Sequence, residues 1–324
     1  MNQKVTVAGM QVNTKVSSNL MIAEGSAGTG AAGEAAFGTR INQTSAAGVL
    51  EPVSTVNGVD FFYTTSGKAD GDASAEDYLA YDQAAFRTAY GVAEAVGYVD
   101  YVFELKAVNT STTASKYIDL SKLDLVYTGT AEDTQKAFRV AMFVQNGSTF
   151  NPEGAVTAYE AMASSAKCII DITGAANQTA DYAVSAASTA PTAISIMATK
   201  ALTSIEVAQN STKYFKVTLR MYLEGEDKTC TNSTFLQLVD AWRLECQFTL
   251  ADSNASSITE ITKYAAKSLA LNTTPTLLYF DGTDLFKAAD MTQLNVGSVI
   301  ASATLTDEEL SALNSAFGSS FTRG

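Results

Sequence analysis

The sequence predicts an all-β protein, an antiparallel β-sandwich of jelly-roll type with long loops and a short C-terminal helix. Three observations carry this. Runs of strict apolar/polar alternation recur along the chain, the two-residue period of a half-buried strand. No strand–helix–strand rhythm separates them, so a doubly wound α/β sheet is not expected. The stretches between the runs are long and rich in Gly, Ser, Thr, Asn and Ala, as loops of a sandwich are.

Taken in order, Val5–Val12 reads as the first strand, with its alternation slipping around Ala8-Gly9. Gly25–Gly38 is Gly- and Ala-rich and reads as an irregular loop. It holds Gly28-Thr29-Gly30-Ala31-Ala32-Gly33, which matches GxGxxG by letters, but no βαβ strand precedes it, so a phosphate cradle is not expected. Asp60–Tyr63 is a short strand whose adjacent Phe61, Phe62 and Tyr63 must face both sides of a sheet. One side is then exposed, or covered by another element or subunit. Ser66–Glu76 carries a turn cluster, and Ala75–Tyr90 has room for one or two helical turns.

The core strands follow. Val99, Tyr101, Phe103, Leu105 and Ala107 point one way, and Asp100, Glu104 and Lys106 the other. Ile118–Tyr127 slips phase between Leu120 and Leu123, which predicts a β-bulge. Phe138–Val144 and Cys168–Ile172 are shorter candidates, with Thr173–Thr192 a long Ala/Ser/Thr-rich excursion after them. Phe215, Val217, Leu219, Met221 and Leu223 form a second clean stripe, with Lys216, Thr218 and Arg220 opposite. Trp242, Leu244, Cys246, Phe248 and Leu250 form the third. One dry and one wet face is expected for each of these three strands, with Glu104 and Glu245 on the wet side. Leu277–Phe280 is a further strand. In Thr306–Phe317, Thr306 and Glu309 fit a capping box, and Leu310, Leu313 and Phe317 make a helical stripe. Residues 1–324 read as one domain, with an N-terminal strand at about 3–13 and a C-terminal extension at about 251–324.

Composition narrows the function. Hydrophobic residues are 46% of the 324, enough for a core, while charged residues are only 17% and the net charge is −13. With 21 basic residues among 34 acidic ones, phosphate-backbone binding is not expected, so nucleic acid is not an expected partner. The absence of His removes histidine-based triads and histidine-containing zinc sites. Cys168, Cys230 and Cys246 form no CxxC and read as small buried hydrophobes. No stretch reaches the ~20 apolar residues of a membrane span, and the first residues enter a strand pattern with no apolar signal core.

The densest acidic cluster is Glu224, Glu226 and Asp227, directly after a strand. Such oxygens suit calcium, but the spacing fits no EF-hand, and a solvated turn with no cofactor is the expectation. Asp70, Asp72, Glu76 and Asp77 form a second such cluster. No two carboxylates are placed across a cleft by any pattern in the chain, and with one Trp the aromatic platforms of a sugar-active site are missing, so an enzyme is not expected.

Two segments carry a family resemblance. Val5-Thr6-Val7-Ala8-Gly9-Met10-Gln11-Val12-Asn13, followed by Leu20-Met21-Ile22-Ala23, resembles the start of mature secreted proteins of Firmicutes. Tyr214–Gly225, ending in Leu223-Glu224-Gly225, resembles a strand signature of the same group. That group is similar to the TasA/camelysin family of biofilm-matrix fibre subunits. The resemblance implies a jelly roll that is extracellular or at the cell surface and polymerises with copies of itself, by giving an N-terminal strand to the next subunit. Val5, Val7, Met10 and Val12 are then the plugs. The chain lacks that family's flanking aromatic stretch. The same physics suits a phage virion decoration or fibre protein, and a carbohydrate-binding adhesin module is a third reading.

Overall fold

The computed structural model describes residues 5–6, 11–25, 36–44, 48–64, 77–127, 137–150, 156–171, 181–185, 192–194, 205–227, 230, 243–253, 261–287, 292–301 and 304–324. The architecture is the expected one: an all-β sandwich with a short C-terminal helix. The first sheet runs, neighbour by neighbour, Glu206–Val207, Lys116–Tyr127, Arg243–Ala251, Gln11–Val16, Arg40–Thr44. Thr262–Ala265 joins it in parallel beside Lys116–Tyr127. The second runs Val156–Tyr159, Phe138–Phe150, Ser211–Leu223, Tyr98–Asn109, Leu20–Glu24, all antiparallel, with Cys168–Asp171 also on Phe138–Phe150. The connection after Leu223 therefore passes from the second sheet to the first.

The alternating stripes face each other as their period demands. Tyr101, Phe103, Leu105, Phe215, Val217, Leu219, Met221 and Leu223 from one sheet meet Leu120, Leu123, Leu125, Leu244, Cys246 and Phe248 from the other. Phe103 and Phe248 touch edge to face across the gap, with ring centroids 5.7 Å apart. Trp242 lies outside the described residues. The expected bulge sits between Leu120 and Lys122.

The expectation of wet outer faces is corrected. Glu104 is 0% exposed, and Thr218, Arg220 and Glu245 are buried as well. Over Thr218 and Arg220 the cause is a second layer, while Glu104 receives Tyr159 of the edge strand and Glu245 lies on the other sheet. Val53, Phe61, Tyr63, Phe86 and Ala95 fold over the outer face of the second sheet and pack on Ala141, Phe143, Ile169 and Tyr222. Arg220 is held beneath by both oxygens of Asp100, at 2.7 and 2.8 Å, with its guanidinium 4.0 Å from the Tyr98 ring centre. Phe61, Phe62 and Tyr63 are all buried, Phe62 against Tyr78 and Val184. Within this layer the Gln83–Tyr90 helix starts at Asp82, whose carboxylate accepts from the Ala84 and Ala85 N–H groups, and stops at Gly91 in the left-handed region, φ 65°. At Gly58, φ 73°, a Cβ would lie 2.9 Å from that of Ala141, so only glycine lets this turn approach the sheet.

The C-terminal region builds a smaller body of its own. Lys267–Leu271, Thr274–Phe280 and Leu285–Lys287 form one sheet, and Asn295–Val296, Val299–Ile300 and Thr322–Arg323 another. The Asp307–Phe317 helix covers them through Leu313, in a core with Leu271, Leu278, Leu285, Ile300, Leu305 and Phe321. Its capping box is present, with Thr306 Oγ1 accepting from Glu309 N at 3.2 Å and Glu309 accepting from Thr306 N at 2.9 Å. The body docks on the first sheet through Lys122, which pairs with Asp281 and, at 3.2 Å, with Asp124. The Tyr279 hydroxyl donates to Asp124, and Lys15 and Lys122 lie over the Phe286 ring at 4.9 and 5.4 Å. Among the described residues no helix is long and apolar enough to cross a membrane.

Candidate functional site

The acidic turn expected to be solvated is instead buried at the end of the second sheet. Ser211–Leu223 ends where Val53 N donates to Leu223 O at 3.0 Å and Gly225 N donates to Val53 O at 2.9 Å. Glu224 N donates to Ala137 O, and Asp227 N and Cys230 N close the turn on Glu224 O and Asp227 O. These bonds turn the side chains inward. Glu224, Glu226 and Asp227 are 2%, 5% and 6% exposed. The physical reason is Arg139, which stands between Asp171 and Tyr222 in register and faces the same layer. Arg139 Nη2 meets Asp227 Oδ2 at 2.8 Å, in a pair with almost no contact with water. Burial works against the Arg139 charge, but Asp227 and Asp171 outweigh it and raise its pKa.

Each remaining carboxylate has protein donors. The Tyr78 hydroxyl donates to Glu226 Oε1 at 2.7 Å, and burial followed by that bond pushes the phenol pKa upward. Glu224 accepts from Glu226 N at 3.2 Å and Thr55 N at 3.4 Å. Ser54, whose Oγ also accepts from Val184 N at 2.8 Å, bonds Glu224 too. Burial pushes Glu224 up to about 8, against the pull of Ser54 and Arg139. What this chemistry does is fasten: it ties the layer at residues 53–55 and 78 to the end of the sandwich. Among the described residues no group of three or more Cys, Asp and Glu is arranged to hold a metal ion. Glu224, Glu226 and Asp227 turn to protein donors. Of the second acidic cluster, Asp70, Asp72 and Glu76 lie outside the described residues.

Arg139, Tyr78, Ser54 and Asp171 are participants that the sequence reading missed. A signal for Arg139 was present. It sits in Ala137-Phe138-Arg139-Val140-Ala141-Met142-Phe143, where a cation flanked by apolar residues on both faces demands a buried anion.

The assembly residues fall as follows. Val12 is fully buried in the sandwich core. Its strand, Gln11–Val16, pairs in parallel with Arg243–Ala251 and antiparallel with Arg40–Thr44. Val5 pairs with Leu50 of the same chain. Val7 and Met10 lie outside the described residues. In the single chain, then, the N-terminal segment closes its own sheet. The three cysteines are free thiols. Burial pushes Cys168 up to about 12 and Cys230 and Cys246 well above the usual range, so none is a nucleophilic thiolate at neutral pH. No protein-family model, curated protein or solved structure matches the chain.

Proposed function

We propose that this protein is a structural subunit that self-assembles into an extracellular fibre or matrix polymer. The observation that carries the reading is the place of Gln11–Val16. It fills an internal slot of the first sheet, bonded along both edges, and it is the strand nearest the N-terminus of that sheet. A strand of a neighbouring copy in the same slot gains the same two ladders of main-chain bonds and the same apolar seat for Val12. The pairing before it, Val5–Thr6 with Val49–Leu50, is only two residues long and leaves little on that side to resist the exchange. The acidic surface keeps free subunits apart until a strand joins them.

The test is a lock. Asn13 and Asn42 are cross-strand partners. The double substitution Asn13→Cys/Asn42→Cys, oxidised, ties the strand to its own subunit. Polymers seen by electron microscopy in the reduced but not the oxidised protein support strand donation. Polymers in both show that subunits meet through another surface. Monomers in both, at every concentration reached, sink the structural reading.

A carbohydrate-binding adhesin is the second reading, and one aromatic group favours it. Phe150 is 49% exposed, and its ring and that of Phe37 lie 5.9 Å from the ring of Tyr214. Lys106 lies 5.7 Å over the same tyrosine. Retention of the protein on a polysaccharide column, lost in Phe150→Ala, would support that reading over the polymer.

A further inference from the structure

The strand Gln11–Val16 does not run out into a long connection. Three residues, Ser17-Ser18-Asn19, carry it straight to Leu20–Glu24, the edge strand of the second sheet beside Tyr98–Asn109. The two strands make one corner of the sandwich, with a strand in each sheet. The turn between them is tight and held from both sides. Leu20 N donates to Ser17 O at 3.2 Å, and Asn19 stands in the left-handed region, φ 68°. Ser17 N donates to Phe248 O of the first sheet at 3.0 Å, and Asn19 O accepts from Val108 N of the second at 2.9 Å. Val12, Leu20 and Ile22 are buried in the same core.

Chain length then decides what can move. Val16 and Leu20 are four Cα steps apart, which span at most about 14 Å. Packed sheets lie about 10 Å apart, so crossing from one to the other consumes most of that reach. Beneath the slot of a neighbouring copy lies that copy's own second sheet. A Gln11–Val16 strand given to that slot therefore brings Leu20–Glu24 onto the acceptor's Tyr98–Asn109, because the turn is too short to leave it at home. Beyond the corner the chain reaches further: Gly25 and Ala36 are eleven steps apart, up to about 40 Å.

We propose that the unit exchanged between copies is this whole corner, Gln11–Glu24, and that the acceptor surface is double. One seat is the slot between Arg243–Ala251 and Arg40–Thr44. The other is the edge of Tyr98–Asn109 that the acceptor's own Leu20–Glu24 vacates. The inference rests on the strand-exchange reading above and adds the second seat to it. In the acceptor the corner remakes each ladder it leaves, with Arg243–Ala251, Arg40–Thr44 and Tyr98–Asn109, and the two bonds of 2.8 Å that Ile22 and Gly38 exchange. The seats of Val12, Leu20 and Ile22 are refilled together. The joined state gives up little, but the core must open before joining.

Two mixtures test this, each assembled, oxidised and read on a non-reducing gel. Met21 and Lys106 are cross-strand partners, and Met21 is 42% exposed. Copies carrying Met21→Cys, mixed with copies carrying Lys106→Cys, join by a disulfide where Leu20–Glu24 of one lies on Tyr98–Asn109 of another. Asn13→Cys copies mixed with Asn42→Cys copies report the slot in the same way. The expected result is a dimer band from both mixtures that neither the wild type nor any variant alone gives. A band from one mixture only shows a single strand travelling by itself; it overturns the corner and leaves strand exchange standing. A band from neither removes strand exchange, and the corner with it. Within one chain, the oxidised pair Met21→Cys/Lys106→Cys should stop assembly as completely as the Asn13–Asn42 lock does. Assembly that continues under the first lock and stops under the second also overturns the corner.

Discussion

Two polar seams hold this molecule together, and they are built differently. At Glu224–Asp227 the outer layer is fixed to the second sheet through buried acids, which receive Thr55 and Tyr78 beside the Arg139–Asp227 pair, with almost no water. At Lys122 the C-terminal body is fixed to the first sheet by lysines over aromatic rings, with side chains that keep some access to solvent. A guanidinium is planar and rigid, so it can satisfy a buried acid without water. A lysine can tilt its ammonium toward water while its stem stays on a ring. The first seam should therefore break sharply when one partner is lost, and the second should yield by degrees.

Arg139→Met attacks the first seam most directly. It leaves Asp227 buried without its cation and should lower stability by about 3–5 kcal/mol in urea unfolding at neutral pH. The double variant Arg139→Met/Asp227→Leu should recover part of that loss, because Asp227 is then no longer stranded while buried Asp171 still lacks the Arg139 charge. A single-variant loss below about 1 kcal/mol would mean the seam is wet and the contrast false. Leu219→Ala supplies the apolar reference from the core beneath, with an expected loss of about 2–5 kcal/mol. A change within about 0.5 kcal/mol, the range of surface sites, would show that Leu219 does not carry the core.

For the second seam, Tyr279→Phe removes the donor to buried Asp124 and should lower stability by about 1–3 kcal/mol. The seams should also differ in pH sign. Asp281 lies below the usual carboxylate range: burial pushes it up, but the Asp284 N–H and Lys122 outweigh that. A depressed acid stabilises the fold above its unfolded pKa, and that contribution is lost as pH falls through the lowered value. Comparing Asp281→Asn with wild type, the gap in stability should be present at neutral pH and close on acidification. A gap that widens in acid would refute the pair. The smallest effect belongs to Thr306→Ala, which opens the capping box of the exposed helix and should lower stability by about 1 kcal/mol in thermal unfolding.

Much of the fold was legible because it rests on local periodicity. The stripes at Tyr101–Ala107 and Phe215–Leu223 pointed inward as their alternation requires, and the phase slip at Leu120–Leu123 was a real bulge. The Thr306–Glu309 capping box was readable because both partners lie within one turn. The site was not legible in the same way. Glu224–Asp227 reads as a solvated turn from its own residues, and only Arg139, Tyr78 and Ser54, all far away along the chain, turn it inward.

The sequence by itself determined the long core strands, their inward faces and the capped C-terminal helix, since each depends on side chains a few residues apart and on which of them avoid water. Only the tertiary structure decided that Gln11–Val16 runs parallel to Arg243–Ala251, that a layer dries the outer face of the second sheet, and that the C-terminal residues close a core of their own. Those outcomes join segments distant in sequence. Main-chain pairing carries no residue code, and a charged side chain can be buried wherever some remote partner balances it, so neither leaves a local pattern to read.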